Sequence, residues 1–215
     1  MIQPSPTLNN EIRLWSEGYR AIAGLDEVGR GAWAGPVFAA AVVLPAGVPE
    51  LDSRLAGVRD SKLLSPRQRV RLVETIRSVA IAVGIGQASH EEVDRLGVVG
   101  ATRRAMCLAI SGLRVPPEYL LIDALQLRQV DLPQLAIIKG DMLCLSIAAA
   151  SIVAKVARDE LCLELDRDYP GYGFAQHKGY GTALHRQCLA ELGPAPIHRR
   201  SYEPVRAVCD LWALR

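Results

Sequence analysis

Short apolar runs alternate with longer segments of helical periodicity along the chain. The run over 21–25 predicts a buried strand that ends in two carboxylates and a glycine turn, and the run over 37–44 predicts a second strand. Further strands are predicted over 81–87, 119–122 and 134–138. Strands that alternate with helices in this way predict an α/β domain.

Two predicted helices carry matching start signals. Ser65 and Gln68 form a capping box with Pro66 in the first turn, and the apolar stripe of this helix is Val70, Val73, Ile76 and Ala80. Ser89 and Glu92 form a second capping box, and Gly97 is the predicted end of that helix. A further helix is predicted over 101–112.

The second half of the chain is predicted to be largely helical. A long alanine-rich helix covers 146–166, a loop rich in glycine and aromatic residues covers 169–181, and helices follow at 182–192 and 203–214. Residues 1–19 are polar and are interpreted as an arm or a short lead-in helix. We therefore expect one domain over 20–215, with a helical C-terminal part from about 182, and no repeat or linker.

Composition narrows the class of protein. The chain has 215 residues, 25 lysines and arginines and 23 aspartates and glutamates, so its formal charge is +2. Half of the residues are hydrophobic, which excludes disorder, yet the longest apolar run has eight residues and is too short to span a membrane. The five cysteines are isolated and the four histidines scattered, which argues against a zinc site or disulfides and favours a cytoplasmic protein with reduced thiols.

Basic residues concentrate in two segments despite the balanced total. Residues 59–77 contain six basic and two acidic residues, and 176–206 contain five basic and two acidic residues together with three histidines. Such segments are typical of a face that contacts a polyanion, and the alternative is a solvated helix surface.

Three predicted strands lead directly into carboxylates. Asp26 and Glu27 follow the first strand, Asp123 follows 119–122, and Asp141 comes just after 134–138. Burying an unpaired charge is costly, and oxygen ligands without histidine or cysteine nearby favour Mg²⁺ or Mn²⁺. Each carboxylate alone could instead be a loop residue or a helix cap.

Four clustered carboxylates can hold two divalent ions about 3.5–4 Å apart, which suits in-line attack at phosphorus. Asp26 and Glu27 are adjacent, so on a regular strand they would face opposite ways, and the strand must bend or end there for both to serve one site. Gly29 and Gly31 would permit such a turn. The chain has no phosphate-binding P-loop, no dinucleotide fingerprint and no nucleophile-elbow motif.

Six segments resemble, in the same order, the motifs of the type 2 ribonuclease H family, in particular the bacterial ribonuclease HII branch. They are AGLDEVGRGAWAGPV, RDSKLLS, LLIDAL, IIKGD, SIAAASIVAKVARD and HKGYGT. The similarity extends from about residue 19 to 205, and its first motif and the HKGYGT loop are highly specific.

The resemblance implies an RNase H-like fold, with a five-stranded mixed sheet flanked by helices and a helical C-terminal extension. It implies an endonuclease that hydrolyses the RNA of RNA–DNA hybrids and cuts 5′ to ribonucleotides embedded in DNA. The products would carry a 5′-phosphate and a 3′-hydroxyl, and two Mn²⁺ or Mg²⁺ ions would act with the substrate. The predicted catalytic and metal-binding residues are Asp26, Glu27, Asp123 and Asp141.

The resemblance also implies residues that bind nucleic acid. The backbone of Gly29, Arg30 and Gly31 would read the ribose 2′-OH, and Tyr180 would stack on the deoxyribose of the following nucleotide. Further contacts to phosphates are implied for three residues, namely Lys62, Ser151 and Lys155. By themselves these side chains would be interpreted as ordinary surface or loop residues.

The sequence departs from the family pattern at a few positions near the predicted site. Ala32-Trp33 replaces the usual Pro-Leu, Leu63 replaces a common lysine, and Met142-Leu143-Cys144 is unusually apolar. The expected protein is a monomer without membrane contact. The alternatives are a resolvase-type nuclease of the same fold, a non-catalytic nucleic-acid-binding module and, last, a small-molecule kinase.

Overall fold

A computed structural model of the chain describes residues 5–213 and contains one five-stranded mixed sheet in the order β3-β2-β1-β4-β5. β1 pairs antiparallel with β2 and β2 with β3, whereas β1 and β4 are parallel, as are β4 and β5. The strands are β1 Ile22–Val28, β2 Val37–Val43, β3 Ala82–Ala88, β4 Tyr119–Asp123 and β5 Gln134–Ile137. The five predicted strands are confirmed, with ends shifted by up to three residues.

Helices cover both faces of the sheet and form the C-terminal part. The helices are α1 Asn9–Ser16, α2 Leu51–Arg54, α3 Pro66–Val79, α4 His90–Ser111, α5 Gly140–Leu143, α6 Leu145–Asp168, α7 Phe174–His177, α8 Ala183–Leu192 and α9 Glu203–Trp212. A single 3₁₀ turn covers Ser61–Leu63. The predicted end of the last helix at Leu214, and residues 1–4 of the predicted arm, lie outside the described residues.

Strand β2 lies inside the sheet and is buried on both faces, which explains its continuous apolar run. Ala39 and Ala41 belong to the core between the sheet and α4, whereas Ala40 and Val42 belong to the core on the side of α3 and α6. Helix α6 lies very close to β1, because a Cβ placed on Gly24 would come within 2.3 Å of the Ser146 backbone. The alanine-rich sequence of α6 therefore allows the helix to pack directly beneath the strand that carries Asp26 and Glu27.

Several helix predictions are confirmed and one requires correction. Both capping boxes form as predicted. Val70 is wrong as a core residue because its side chain is half exposed, although Ile76 of the same stripe is fully buried. Gly97 has a φ of 70° and a ψ of 160°, so the predicted end of the first helix at Gly97 is confirmed as a kink, and the helical segment beyond it continues to Ser111 within α4.

The loops and thiols also agree largely with the sequence interpretation. The segment between β2 and α3 contains the short helix α2, and the predicted loop over 169–181 contains α7. All five cysteines are free and at least partly buried. Among the described residues, no helix combines the length and apolar character that crossing a bilayer requires.

Candidate active site

The predicted carboxylates meet where the parallel strands β1 and β4 end. One carboxylate oxygen from each of Asp26, Glu27 and Asp123 lies within 4.8 Å of the others. β1 extends three residues beyond its predicted end at Leu25, to Val28, in its pairing with β2. Its pairing with β4, however, stops at Leu25, so the two acidic residues extend beyond the parallel ladder.

Hydrogen bonds from the backbone orient two of these carboxylates. The Glu27 N–H donates to Asp26 Oδ1 at 2.7 Å, and the Gly140 N–H donates to Asp123 Oδ1, also at 2.7 Å. The second bond links the end of β4 to the start of α5, the helix that carries Asp141. The local backbone thus connects the three elements that supply the acidic side chains.

The carboxylates are crowded and only partly neutralised by the protein. Burial, together with the charges of Glu27 and Asp123, holds the pKa of Asp26 well above its ordinary value, although a hydrogen bond from Ser151 opposes this. Burial also raises the pKa of Glu27, against the guanidinium of Arg30, which lies 3.1 Å away. Crowded, buried carboxylate oxygens with raised pKa values fit a divalent cation, which would favour their charged forms.

Asp141 lies at the edge of this group rather than within it. Its carboxylate is 3.9 Å from Lys62 Nζ, which is itself 4.0 Å from Asp60. Burial and the charge of Asp60 raise the pKa of Asp141, while Lys62 lowers it and Asp123 contributes a smaller increase. For Lys62, burial alone would lower the pKa, but the surrounding carboxylates outweigh burial and raise it.

The Gly-Arg-Gly turn follows β1 directly and is held from behind by a buried arginine. Gly29 has a φ of 92°, and a Cβ there would come within 2.3 Å of Arg158 Nε. The Arg30 carbonyl accepts hydrogen bonds from Arg199 at 2.9 Å and from the Tyr202 hydroxyl. The backbone of the turn is therefore fixed before any ligand binds.

The loop that carries Tyr180 packs against the same turn. Tyr180 forms an antiparallel bridge with Ala32, and its ring lies 4.0 Å from the position that a Cβ of Gly31 would occupy. The Arg158 guanidinium lies 5.4 Å from the centre of the Tyr180 ring and donates to the Lys178 carbonyl at 2.9 Å. The structure thus brings the two most specific motifs of the sequence into contact.

Three buried histidines support this loop from below. His177 and His185 stack with ring centres 4.2 Å apart, and His185 Nε2 lies 3.0 Å from His198 Nε2. His177 Nδ1 accepts from the Gly179 N–H at 3.0 Å. Burial lowers the pKa of both His185 and His198 to about 4. These rings are therefore neutral packing groups and do not add to a basic surface.

Of the remaining predicted contacts, Ser151 and Lys155 lie on α6 and Lys62 lies on the 3₁₀ turn. Ser151 is buried, where its hydroxyl contacts Ser61 Oγ at 3.0 Å and hydrogen-bonds Asp26. Lys155, one turn further on, forms an ion pair with Asp159 at 2.6 Å. Lys62, whose side chain is 80% exposed, is the most accessible of the three predicted phosphate contacts.

The departures from the family pattern have different structural consequences. Ala32 and Trp33 are buried, and a Cβ on Gly181 would come within 2.1 Å of the Trp33 ring. Trp33 therefore packs against the Tyr180 loop from inside. Leu63 and Leu143 are each 47% exposed, so they alter the surface beside Lys62 and Asp141 rather than the core.

Two buried arginines, Arg158 and Arg199, support the site although the sequence gives no sign of it. Arg158 and Arg199 are almost fully buried and donate to backbone carbonyls of the turn and its neighbouring segments. Arg199, like the partly paired Arg69, was counted in a basic segment, and neither is available at the surface. Nothing in the local sequence distinguishes these arginines from exposed ones.

Comparisons with known proteins agree with this arrangement. The sequence model of the family described as Ribonuclease HII matches residues 23–205. A curated Ribonuclease HII from Dehalococcoides mccartyi is 49% identical over 207 residues, which cover 96% of this chain and 97% of that protein.

Solved structures with the same fold include two proteins of lower identity. The ribonuclease H2 of Pyrococcus horikoshii OT3 matches with a TM-score of 0.72 and 24% identity, over 90% of this chain and 99% of that one. Bst-RNase HIII in complex with Mn²⁺ matches with a TM-score of 0.70 and 20% identity, over 92% of this chain and 72% of that one. The expected RNase H fold, with a helical C-terminal part, is thereby confirmed.

Proposed function

The chain belongs to the ribonuclease HII family and is a ribonuclease H, and we propose that it also incises duplex DNA 5′ to an embedded ribonucleotide. The observation that carries the proposal is the contact between two parts of the site. The carboxylate cluster of Asp26, Glu27 and Asp123 directly precedes the Gly-Arg-Gly turn, which packs against Tyr180. Chemistry at phosphorus and recognition of a sugar can therefore take place side by side.

Divalent cations would bind to Asp26, Glu27, Asp123 and Asp141. Two Mn²⁺ or Mg²⁺ ions with the substrate are proposed, and the related fold solved with Mn²⁺ supports the choice of metal class. When bound, such ions lower the pKa of water and stabilise the negative charge of the leaving oxygen. The protein contributes orientation, because Asp26 and Asp123 each accept a backbone N–H that fixes the carboxylate.

The turn formed by Gly29, Arg30 and Gly31 is proposed to read the ribose. The Arg30 carbonyl accepts a hydrogen bond from Arg199, which fixes the backbone of the turn. This backbone would face the minor groove of the substrate duplex, where the 2′-OH lies. Gly31 carries no side chain, so its backbone beside the edge of the Tyr180 ring stays open to a sugar. Tyr180 would stack on the deoxyribose of the next nucleotide, and this pairing would select an RNA–DNA junction.

Phosphate contacts are proposed chiefly for Lys62, which is exposed and lies beside Asp141. Ser151 and Lys155 stay predictions as direct contacts. Ser151 acts on Asp26 through its hydroxyl, and Lys155 would have to leave Asp159 to reach a phosphate.

The cleavage chemistry follows from the position of the cut. Water adds to the phosphorus on the 5′ side of the ribonucleotide and the bond to the preceding O3′ breaks, leaving a 5′-phosphate and a 3′-hydroxyl. The ribose 2′-OH is adjacent only to the phosphate on its own 3′ side. It therefore cannot be the nucleophile for this cut, and no cyclic phosphate is expected.

The test is incision of an end-labelled DNA duplex that contains one ribonucleotide. The expected result is a cut 5′ to the ribonucleotide with Mg²⁺ or Mn²⁺, which is lost in EDTA and absent from an all-DNA duplex. A 2′,3′-cyclic phosphate product would refute the mechanism. Folded protein that leaves this duplex intact but cleaves a four-way DNA junction would move the assignment to a resolvase-type nuclease.

A further inference from the structure

The N-terminal arm lies against the segment that joins the Asp141 helix to α6. Thr7 forms a parallel bridge with Cys144. The Thr7 N–H donates to the Leu143 carbonyl at 3.2 Å, and the Leu145 N–H donates to the Thr7 carbonyl at 3.0 Å. The arm therefore adds a short strand-like clasp at the point where α5 ends and α6 begins.

Glu11 of α1 supplies the cap that α6 lacks. Cys144 precedes the first turn of α6 and makes no capping bond with its own side chain. Glu11 Oε1 instead accepts from the Ser146 N–H at 2.8 Å and from the Cys144 thiol at 3.1 Å. A carboxylate at this end of a helix satisfies a free N–H and interacts favourably with the helix dipole.

Burying the Glu11 carboxylate at this contact lowers the stability of the fold. Glu11 is 1% exposed, and its second oxygen has no hydrogen-bond partner among the described residues. Burying a half-satisfied carboxylate lowers stability relative to an apolar side chain of similar size. We attribute the benefit that offsets this cost to the orientation of the segment that Glu11 holds.

The held segment is short and leads directly to the proposed metal site. Asp123 fixes its start by accepting from the Gly140 N–H, and Glu11 fixes its end at Ser146. Asp141 lies between these two anchor points, one residue after Gly140. A displacement at the Glu11 end would therefore move Asp141 relative to Asp123.

We infer that Glu11 is a positioning residue that, together with Thr7, holds Asp141 in place for metal binding. The inference rests on the proposed metal site, and it gives residues 5–16 a specific task in the reaction. Partners behind metal ligands commonly change metal affinity by 10- to 100-fold when they are removed. Because Glu11 acts through the backbone, we expect a change at the lower end of that range.

The experiment measures Mn²⁺ binding to the full chain by calorimetry, together with thermal unfolding and amide exchange at Ser146. Glu11→Ala should weaken Mn²⁺ binding by about tenfold and accelerate exchange of the Ser146 amide. Glu11→Gln keeps an oxygen that can accept from the Ser146 N–H but loses the charge. The Mn²⁺ affinity of this variant should therefore lie between those of the wild type and Glu11→Ala. The matched control is Ser89→Ala, which removes the cap of α4 on the opposite face of the sheet.

The control separates positioning from stability. Ser89→Ala should lower the melting temperature and leave Mn²⁺ affinity unchanged. Wild-type Mn²⁺ affinity in both Glu11 variants would overturn the inference, whatever their melting temperatures. If Glu11→Ala does not fold, the Mn²⁺ affinity of Glu11→Gln alone decides. Wild-type protein that binds Mn²⁺ without incising the ribonucleotide duplex would refute the proposed function while leaving the Glu11 comparison valid.

Discussion

Adding one methyl group at Gly29 or at Gly31 should produce opposite kinds of defect, although the two glycines are only two residues apart. Gly29 has a φ of 92°, and its added Cβ would lie 2.3 Å from Arg158 Nε. Gly31 has no positive φ, and its added Cβ would meet only the edge of the Tyr180 ring at 4.0 Å. Gly29→Ala is therefore expected to be a stability variant and Gly31→Ala an activity variant.

The expected cost at Gly29 has two parts. An alanine in left-handed backbone costs about 1–2 kcal/mol. The clash also displaces the Arg158 guanidinium, which donates to the carbonyls of Ala34, Pro36 and Lys178. The loss of one hydrogen bond from a charged donor costs about 1.5–3 kcal/mol. The sum is about 2.5–5 kcal/mol, or a fall of roughly 8–15 °C in melting temperature at about 3 °C per kcal/mol.

The expected effect at Gly31 lies in recognition. Its stability should stay the same or rise by less than about 1 kcal/mol, because alanine restricts the unfolded chain. The methyl group would protrude from the turn at the edge of the Tyr180 ring, where the ribose is proposed to contact the backbone. Misplacing the reacting group by about 1 Å can cost on the order of a hundredfold, so kcat/KM on the single-ribonucleotide duplex should fall by about that factor.

The assays are thermal unfolding and steady-state incision of both variants beside the wild type. A Gly29→Ala protein as stable as the wild type would refute the proposed packing of Arg158 beneath the turn. A Gly31→Ala protein with normal kcat/KM would refute the ribose position. If Gly31→Ala lost stability and kept its activity per folded molecule, the assignment of roles to the two glycines would be reversed.

Three further predictions concern the cluster and the loop. Asp123→Asn should fold, because its amide oxygen can still accept the backbone N–H. Its incision activity at saturating Mn²⁺ should fall by at least about a hundredfold, and circular dichroism should show that the variant is folded. His185 and His198 have folded pKa values of about 4, below the unfolded value of about 6.5, so their contribution to stability is complete above pH 6.5 and falls as the pH drops towards 4. Each ring can contribute up to about 3 kcal/mol to the free energy of unfolding. In His198→Gln the melting temperature should therefore depend less on pH over this range. Gly181→Ala should be strongly destabilising because of Trp33, and the double variant with Trp33→Leu should recover part of the lost melting temperature.

The strands of the site and the carboxylates on them could be predicted, because the sequence pattern that indicates them lies in neighbouring residues. β1 and β2 are buried on most or all positions, so they appear as continuous apolar runs in the sequence. Carboxylates that follow such runs stand out, which is why Asp26, Glu27 and Asp123 could be selected without a structure. Val70 shows the limit, since an apolar residue at helical spacing can still lie on the exposed side of its helix.

The supports of the site could not be predicted because their partners are far away in the sequence. Glu11 caps a residue 135 positions later, and Arg199 contacts a carbonyl 169 positions earlier. Single-sequence patterns describe neighbours within a few turns and carry no sign of such pairs. The role of Tyr180 came from the resemblance alone, since a tyrosine between glycines is otherwise interpreted as a loop anchor.

The two halves of the site are held by different forces, and this division predicts how variants will behave. Asp26, Glu27 and Asp123 lie on strands that the sheet fixes, so they can be changed without unfolding the chain. The turn and the Tyr180 loop are held by Arg158 and Arg199, whose buried guanidinium groups face carbonyl oxygens, and burial lowers the pKa of Arg199. A buried cation bound to uncharged oxygens lowers stability when one of those bonds is lost, so variants that disturb the packing of Arg158 or Arg199 should first lose stability. Variants of the carboxylates should first lose metal binding, and comparing the two measurements distinguishes these two kinds of damage.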